Sequence, residues 1–319
     1  MAGPFVVATA DKELVHRPVM LREVIEALMV KPDGFYVDAT FGRGGHAAAV
    51  VARLDPRGRL LVIDKDPQAV AVARDLFGAD ERVILRQGSF ADMPRFVEAC
   101  GRIGGVDGVL LDLGVSSPQL DDPARGFSFR GDGPLDMRMD PGAGVSAAQW
   151  LATVSEAELT AVLFEYGEER FAKRIARTIL QVREASPILT TGQLAAIVAR
   201  AVPTRERGKD PATRTFQAIR IAINNELDDL KACLAQLPNM LASGGRMVVI
   251  SFHSLEDRIV KHFIRNAEQG PRLPRGLPVR GGPAPGVVRR IGKAQHATEE
   301  EVAANPRARS AVLRVAERL

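Results

Sequence analysis

The feature that most constrains this chain is the run Val37-Asp38-Ala39-Thr40-Phe41-Gly42-Arg43-Gly44-Gly45-His46, followed by the Ala-rich segment from Ala47. A short β-branched stretch enters a glycine-rich turn and leaves it as a helix. Glycines there let the backbone approach a ligand closely, and the free N–H groups at a helix start favour a polar or negative group. The unit therefore implies an α/β fold with a nucleotide-like cofactor at the turn.

From residue 35 to 113 the same alternation continues, β-branched runs trading with segments of helical period, as in a parallel sheet flanked by helices. Strands are expected at Phe35 to Asp38, Leu60 to Asp64, Val83 to Gln87 and Gly108 to Asp112. In such a sheet the ligand crevice lies beyond the carboxyl ends of the strands, so Asp38, Asp64, Gly88 to Phe90 and Asp112 are expected to converge.

The glycines alone leave two cofactors open. Gly42-x-Gly44-x-x-Ala47 satisfies the dinucleotide fingerprint, and Asp64 is placed to accept ribose hydroxyls in either case. Against a dinucleotide stands Asp38, which would face a pyrophosphate unfavourably but suits the ammonium group of S-adenosylmethionine or a role in organising the loop. Phe90, in Gly88-Ser89-Phe90-Ala91-Asp92, offers a face for adenine or packs into the core.

The alternation stops after Asp112 and resumes near residue 240, where Ser243-Gly244-Gly245 is expected to end a helix before an apolar strand, Met247 to Phe252. Residues 121 to 145 read as a Gly/Pro/Asp-rich loop and 146 to 200 as helices, with Ser155 and Glu158 spaced as a capping box. From Thr213 the positions Phe216, Ile219, Ile223, Leu227, Leu230 and Leu234 share one face of a long helix. The organisation expected is a discontinuous domain of residues 1–119 and 216–319, interrupted by a helical substrate-recognition domain at 120–215. Residues 265 to 293 hold seven Lys or Arg, one acid and eleven Gly or Pro, which reads as an irregular basic arm. Ser310 to Ala316 alternates as a closing strand.

The fourth strand runs into Leu113-Gly114-Val115-Ser116-Ser117-Pro118-Gln119. An exocyclic amine is a poor nucleophile, and acceptors that hold its N–H groups can aim the lone pair. Asp112, Ser116, Ser117 and carbonyls near Pro118 are of that type. Phe127 and Phe129 are candidates for stacking on a base, or structural. His253, just past the fifth strand, is an active-site candidate or a histidine bonded to a loop carbonyl.

Arg170, Lys173, Arg174 and Arg177 are spaced as one basic helical stripe, followed by Arg200, Arg205, Arg207, Lys209 and Arg214. With a net charge of +4, these cations suit phosphates, while 5% aromatics argue for shaped RNA over a single-strand stacking platform. Cys100 and Cys233 lack metal-ligand spacing, so no metal is expected. No apolar run reaches membrane-spanning length and the first residues do not read as a leader, which makes a cytoplasmic location the expectation. The oligomeric state is left open, with a homodimer compatible with the pattern.

Together these motifs resemble the bacterial family of 16S ribosomal RNA cytosine-N4 methyltransferases. The resemblance rests on His16 to Met20, the Asp38 to His46 loop, Ile63 to Pro67, Leu110 to Asp121, Glu165 to Phe171, Pro211 to Leu227 and Ser251 to Arg258. It implies a Rossmann-like class I methyltransferase sheet with an inserted helical domain, acting with S-adenosylmethionine on a decoding-region cytosine in the assembled small subunit. It also implies cofactor contacts at Gly44, Gly45, His46, Asp64, Phe90, Asp112 and Gln119, while Asp112 and Ser117 are the residues expected to position the amine. Two other functions compete: a ribosome-assembly factor that docks RNA without catalysis, and an NAD-dependent oxidoreductase, for which no residue organises hydride chemistry.

Overall fold

The computed structural model describes residues 18–204, 210–270 and 286–319. His16 and Arg17, the cations Arg205, Arg207 and Lys209, and residues 271–285 of the basic stretch lie outside the described residues.

Among the described residues seven strands form one sheet: β1 Phe35–Asp38, β2 Arg59–Asp64, β3 Val83–Gln87, β4 Val106–Asp112, β5 Leu241–Ser251, β6 Val288–His296 and β7 Val312–Arg318. Their order is β3-β2-β1-β4-β5-β7-β6. The first five are parallel, and β7 lies antiparallel between β5 and β6. The strands are nearly continuous apolar runs because both faces are covered. Val37, Leu61, Ile63, Val109 and Leu111 point into one core, and Tyr36, Leu60, Val62, Leu110 and Ile250 into the other. The chain winds outward from β1 to β3, then returns to β4 on the other side of β1. That reversal opens a crevice at the carboxyl ends of β1 and β4.

Between β4 and β5 the helices Ala147–Thr153, Glu156–Glu165, Ala172–Ala185, Thr191–Ala201 and Ala212–Asn224 pack around a third core, which includes Phe127, Leu151, Ile175, Leu194 and Phe216. Ser146 with Gln149 and Thr190 with Gln193 form reciprocal capping boxes. Ser155 accepts from the Glu158 amide.

Four expectations need correction. The face from Phe216 to Leu234 is two helices, Ala212–Asn224 and Glu226–Met240, separated by Asn225 in the left-handed region at φ 54°. Hydrophobic spacing runs through the break, but Phe216 and Ile219 serve the third core, whereas Leu230 and Leu234 serve the sheet. Ser243-Gly244-Gly245 does not end a helix; it lies within β5, where pairing to β4 jumps from Val106↔Leu241 to Gly108↔Arg246. Gly244, at φ 78°, accommodates that irregularity.

The stretch from 265 to 293 is regular at both ends, since residues 265–269 close the helix Ser254–Gln269 and 288–293 open β6. Val288 and Ile291 pack on opposite sheet faces, an alternation that the count of Gly, Pro and cations conceals. Finally, Lys173, Arg174 and Arg177 are exposed on one helix, but Arg170 precedes it, stacked on Phe171 and donating to Thr204. No helix among the described residues is long and apolar enough to cross a membrane.

Candidate active site

The crevice at the sheet's carboxyl edge is built outward from the β1 turn. Gly42 and Gly44 take φ of 56° and 78°, which turns the chain sharply into the helix Gly45–Val51. A Cβ on Gly44 would stand 2.5 Å from the Phe41 ring, and one on Gly45 would stand 2.1 Å from Pro18 Cγ. The loop therefore admits no side chain at either position. Asp38 is buried behind it, accepting from the Thr40 amide at 3.2 Å, and Thr40 Oγ1 accepts from the Asp112 amide at 2.6 Å. Burial, with Asp64 close by, pushes Asp38 up to about 7. Of its two expected roles, Asp38 takes the organisation of the loop and does not line the cavity.

Asp64 ends β2 with both oxygens engaged: Oδ2 accepts from Gly42 N and Oδ1 from Asp66 N, each at 2.8 Å. Burial pushes it up to about 6 against the pull of those amides. Phe90 opens a short 3-10 turn after β3, packs partly on the sheet core and lines the cavity, so its two candidate roles coexist. Asp112, at the end of β4, has 24% of its side chain exposed, with Oδ2 3.7 Å from His46 Nδ1. Its Oδ1 is buried without a hydrogen-bond partner among the described residues. Burial first, then Asp38 and Glu256, push Asp112 up to about 8. His46 is itself buried, with Nε2 3.1 Å from the Val19 carbonyl.

The loop after β4 is pinned by Gln119, whose Oε1 accepts from Ser116 N and whose Nε2 donates to Asp66 Oδ2, both at 2.8 Å. Asp66 also receives Arg125 Nη1 at 2.7 Å, and Arg125 Nη2 donates to the carbonyls of Arg138 and Met139. Met139 N in turn donates to Asn224 Oδ1 at 2.7 Å, while Lys65 Nζ donates to Asn224 O and Asp229 Oδ2. This network fastens the wall contributed by the helical insertion to the loop that follows β2.

One cavity thus collects Gly45, His46, Asp64, Phe90, Asp112, Ser117 and Gln119. Gly44 turns away from it to pack on Phe41. His253 is outside the lining too, and faces a carboxylate where a loop carbonyl was one expectation: its Nε2 lies 3.0 Å from Glu256 Oε1. Although burial opposes it, the His253 ring, Arg220 and the Phe252 amide hold Glu256 below the usual carboxylate range. Phe127 and Phe129 pack in the third core, Phe129 edge-on to Phe216 at 4.8 Å, so neither is placed to stack on a base in the cavity.

Sequence reasoning missed Asn224, Glu226, Asp229, Glu256 and Arg307, which also line the cavity. The available signal for the first two was the polar run Asn224-Asn225-Glu226 interrupting an otherwise amphipathic face.

A parallel sheet in this order, closed by an antiparallel β7 and carrying acids at the ends of β1, β2 and β4, has the Rossmann-like architecture of the class I methyltransferases. Within that class, the model of the MraW methylase family matches residues 13–319, and the chain belongs to that family. It is similar to a protein named Ribosomal RNA small subunit methyltransferase H in Thioalkalivibrio sulfidiphilus (strain HL-EbGR7), 59% identical over 305 residues, which cover 95% of this chain and 97% of that one. The protein of the same name in Thiobacillus denitrificans (strain ATCC 25259 / T1) is 57% identical over 308 residues, 96% of this chain and 98% of the relative.

Proposed function

We propose that this chain transfers a methyl group from S-adenosylmethionine to the exocyclic N4 amine of a cytosine in the decoding region of 16S rRNA, on the assembled small subunit in the cytoplasm. The observation that carries the reading is Asp112: a half-buried carboxyl whose buried oxygen, Oδ1, is orphaned, in the same cavity as the ribose acid Asp64. An unsatisfied buried acceptor is costly unless a ligand completes it.

The residues present fit the cofactor. Asp64 retains lone pairs for ribose hydroxyls beyond those given to Gly42 and Asp66. Phe90 supplies an apolar face for adenine, and the loop at Gly44, Gly45 and His46 leads toward Asp112, where a cationic methionine end meets a carboxyl. Bound there, S-adenosylmethionine supplies an activated methyl group.

The chain's own contribution is placement and proton handling. Asp112, once ionised, accepts an N–H of the target amine and so fixes the direction of its lone pair. Ser117 borders the same space as a second polar group. Gln119 holds the loop through Ser116 and Asp66 and keeps a second amide N–H and a second oxygen lone pair for the cofactor. The amine's proton leaves to Asp112 or to water at the cavity mouth. Residues 120–215, as a substrate-recognition domain, reach the cavity at Met139 and hold the RNA by shape and charge.

The test is methyl transfer from labelled S-adenosylmethionine to small subunits from a strain lacking this gene, followed by nuclease digestion and mass analysis. N4-methylcytidine at one site is the expected result. Label that enters protein or small molecules and leaves rRNA unmodified overturns the substrate.

A further inference from the structure

The cavity's charge does not match a polyanionic substrate. Asp64, Asp112, Glu226, Asp229 and Glu256 line it; Lys65 answers Asp229 and Arg220 answers Glu226, so a nucleotide entering with its phosphates meets an acidic interior with no cation to spare for them among the described residues. Cations at the entrance must offset that repulsion. The lining includes Arg43, Lys65 and Arg307, together with the buried ring of His46. Lys65 is committed to the Asn224 carbonyl and to Asp229.

The two arginines are different. Arg43 sits between Gly42 and Gly44, whose left-handed backbone throws it outward, and it is exposed with no hydrogen-bond or ion-pair partner among the described residues. Arg307 belongs to the 3-10 turn Pro306–Ser310, which is anchored from behind by buried Ala308 and Ala311 and capped by Asn305. Its guanidinium reaches Asp121, at the far end of the short helix that starts beside Ser116. That pair is solvent-exposed, with 40% of the Arg307 and 63% of the Asp121 side chain accessible. Exposed pairs contribute little, whereas a guanidinium fork meets a phosphate in a bidentate, charge-assisted manner.

We propose that Arg43 and Arg307 form a phosphate clamp at the cavity mouth, gripping the RNA backbone beside the target base, with Asp121 as the placeholder that the phosphate displaces. The clamp rests on the rRNA reading above. It assigns the segment after Thr298 to substrate binding, a stretch to which the sequence pattern gives no role.

The test compares small-subunit binding by the wild type, Arg307→Ala, the double variant Arg43→Ala/Arg307→Ala and Asp121→Asn from about 50 to 200 mM salt, beside S-adenosylmethionine affinity and thermal midpoint. Arg307→Ala is expected to bind roughly tenfold more weakly at low salt and to flatten the log–log salt slope by about one, and the double variant by about two. Asp121→Asn is expected to bind about twofold tighter, because the phosphate no longer competes with a carboxylate. Methyl-donor affinity and thermal midpoint stay at the wild-type values in Arg307→Ala. An unchanged slope in the double variant, or loss of donor affinity and subunit affinity together, overturns the clamp while leaving the rRNA reading standing. Failure of the wild type itself to bind subunits overturns both.

Discussion

The two walls of the cavity are both polar and both buried, yet they are built in opposite ways. On the sheet side, Asp64 and Asp112 in the wall and Asp38 behind it are acids with no Lys or Arg paired to them among the described residues, held above the usual carboxylate range mainly by burial. On the insertion side, taken with the helices that run on to Met240, nearly every buried polar group is matched, Thr215 Oγ1 excepted. Arg125 meets Asp66 at 2.7 Å, Arg220 meets Glu226 through two contacts of 2.8 Å, and Asn224 is bonded at both ends of its amide. The contrast teaches where the molecule keeps unsatisfied valence: the strand ends wait for a ligand, and the insertion is a finished wall that presents a fixed shape to it.

Three experiments sharpen or break that contrast. The largest effect is expected for Arg125→Ala, which strands the Asp66 carboxylate in a site where the two side chains are only 7% and 4% exposed. Removing one partner of a buried pair costs about 3–5 kcal/mol. Calorimetry is expected to show a large loss of thermal stability, and a midpoint near wild type would mean that the insertion-side pairs do not carry the wall.

Asp112→Asn is expected to do the reverse, lowering methyl transfer about 100-fold while raising the thermal midpoint by roughly 2–4 °C. The sign follows from linkage. The folded-state value of about 8 lies above the ordinary 3.8, so the folded state holds the proton more tightly. That acid therefore lowers stability progressively as pH climbs from about 4 to about 8. The gain in Asp112→Asn should thus be full at pH 9 and vanish near pH 4. A lower midpoint at pH 9 would show that the acid is structural, and the two walls would then be alike.

The smallest effect concerns ligand binding. Because a cationic methyl donor favours the ionised form of Asp112, its affinity is expected to be about tenfold weaker at pH 7 than at pH 9, flattening in Asp112→Asn. Titration calorimetry at the two pH values checks this, and a flat wild-type profile removes Asp112 from the donor site.

The same contrast marks what the sequence made readable. The sheet side was legible because each strand is a β-branched run that ends at a polar residue, and local pattern suffices to place Asp38, Asp64 and Asp112 at one edge. The insertion side was not, because its contacts join residues remote in the chain. Lys65 meets Asn224 across 159 positions, and Asn224 meets Met139 across 85. No periodicity reports such pairs. The helix break at Asn225 was hidden for a related reason, since apolar spacing continues through it while the two halves serve different cores. β6 was hidden by averaging, its alternation of Val288 and Ile291 outweighed by the Gly, Pro and cations around it.

The placement of β7 between β5 and β6 has a consequence for how the molecule comes into being. During synthesis β6 emerges with no neighbour to pair with, and it joins the sheet only when Val312–Arg318 has slotted in beside β5. The segment carrying Asn305 and Arg307 arrives just before, and Glu301 must then find the amide of Met20 across 281 positions. A nascent chain therefore keeps its pocket half-made until β7 has emerged and closes it in one event, so that catalytic competence waits on the docking of that strand and not on the elements that carry Asp64 and Asp112.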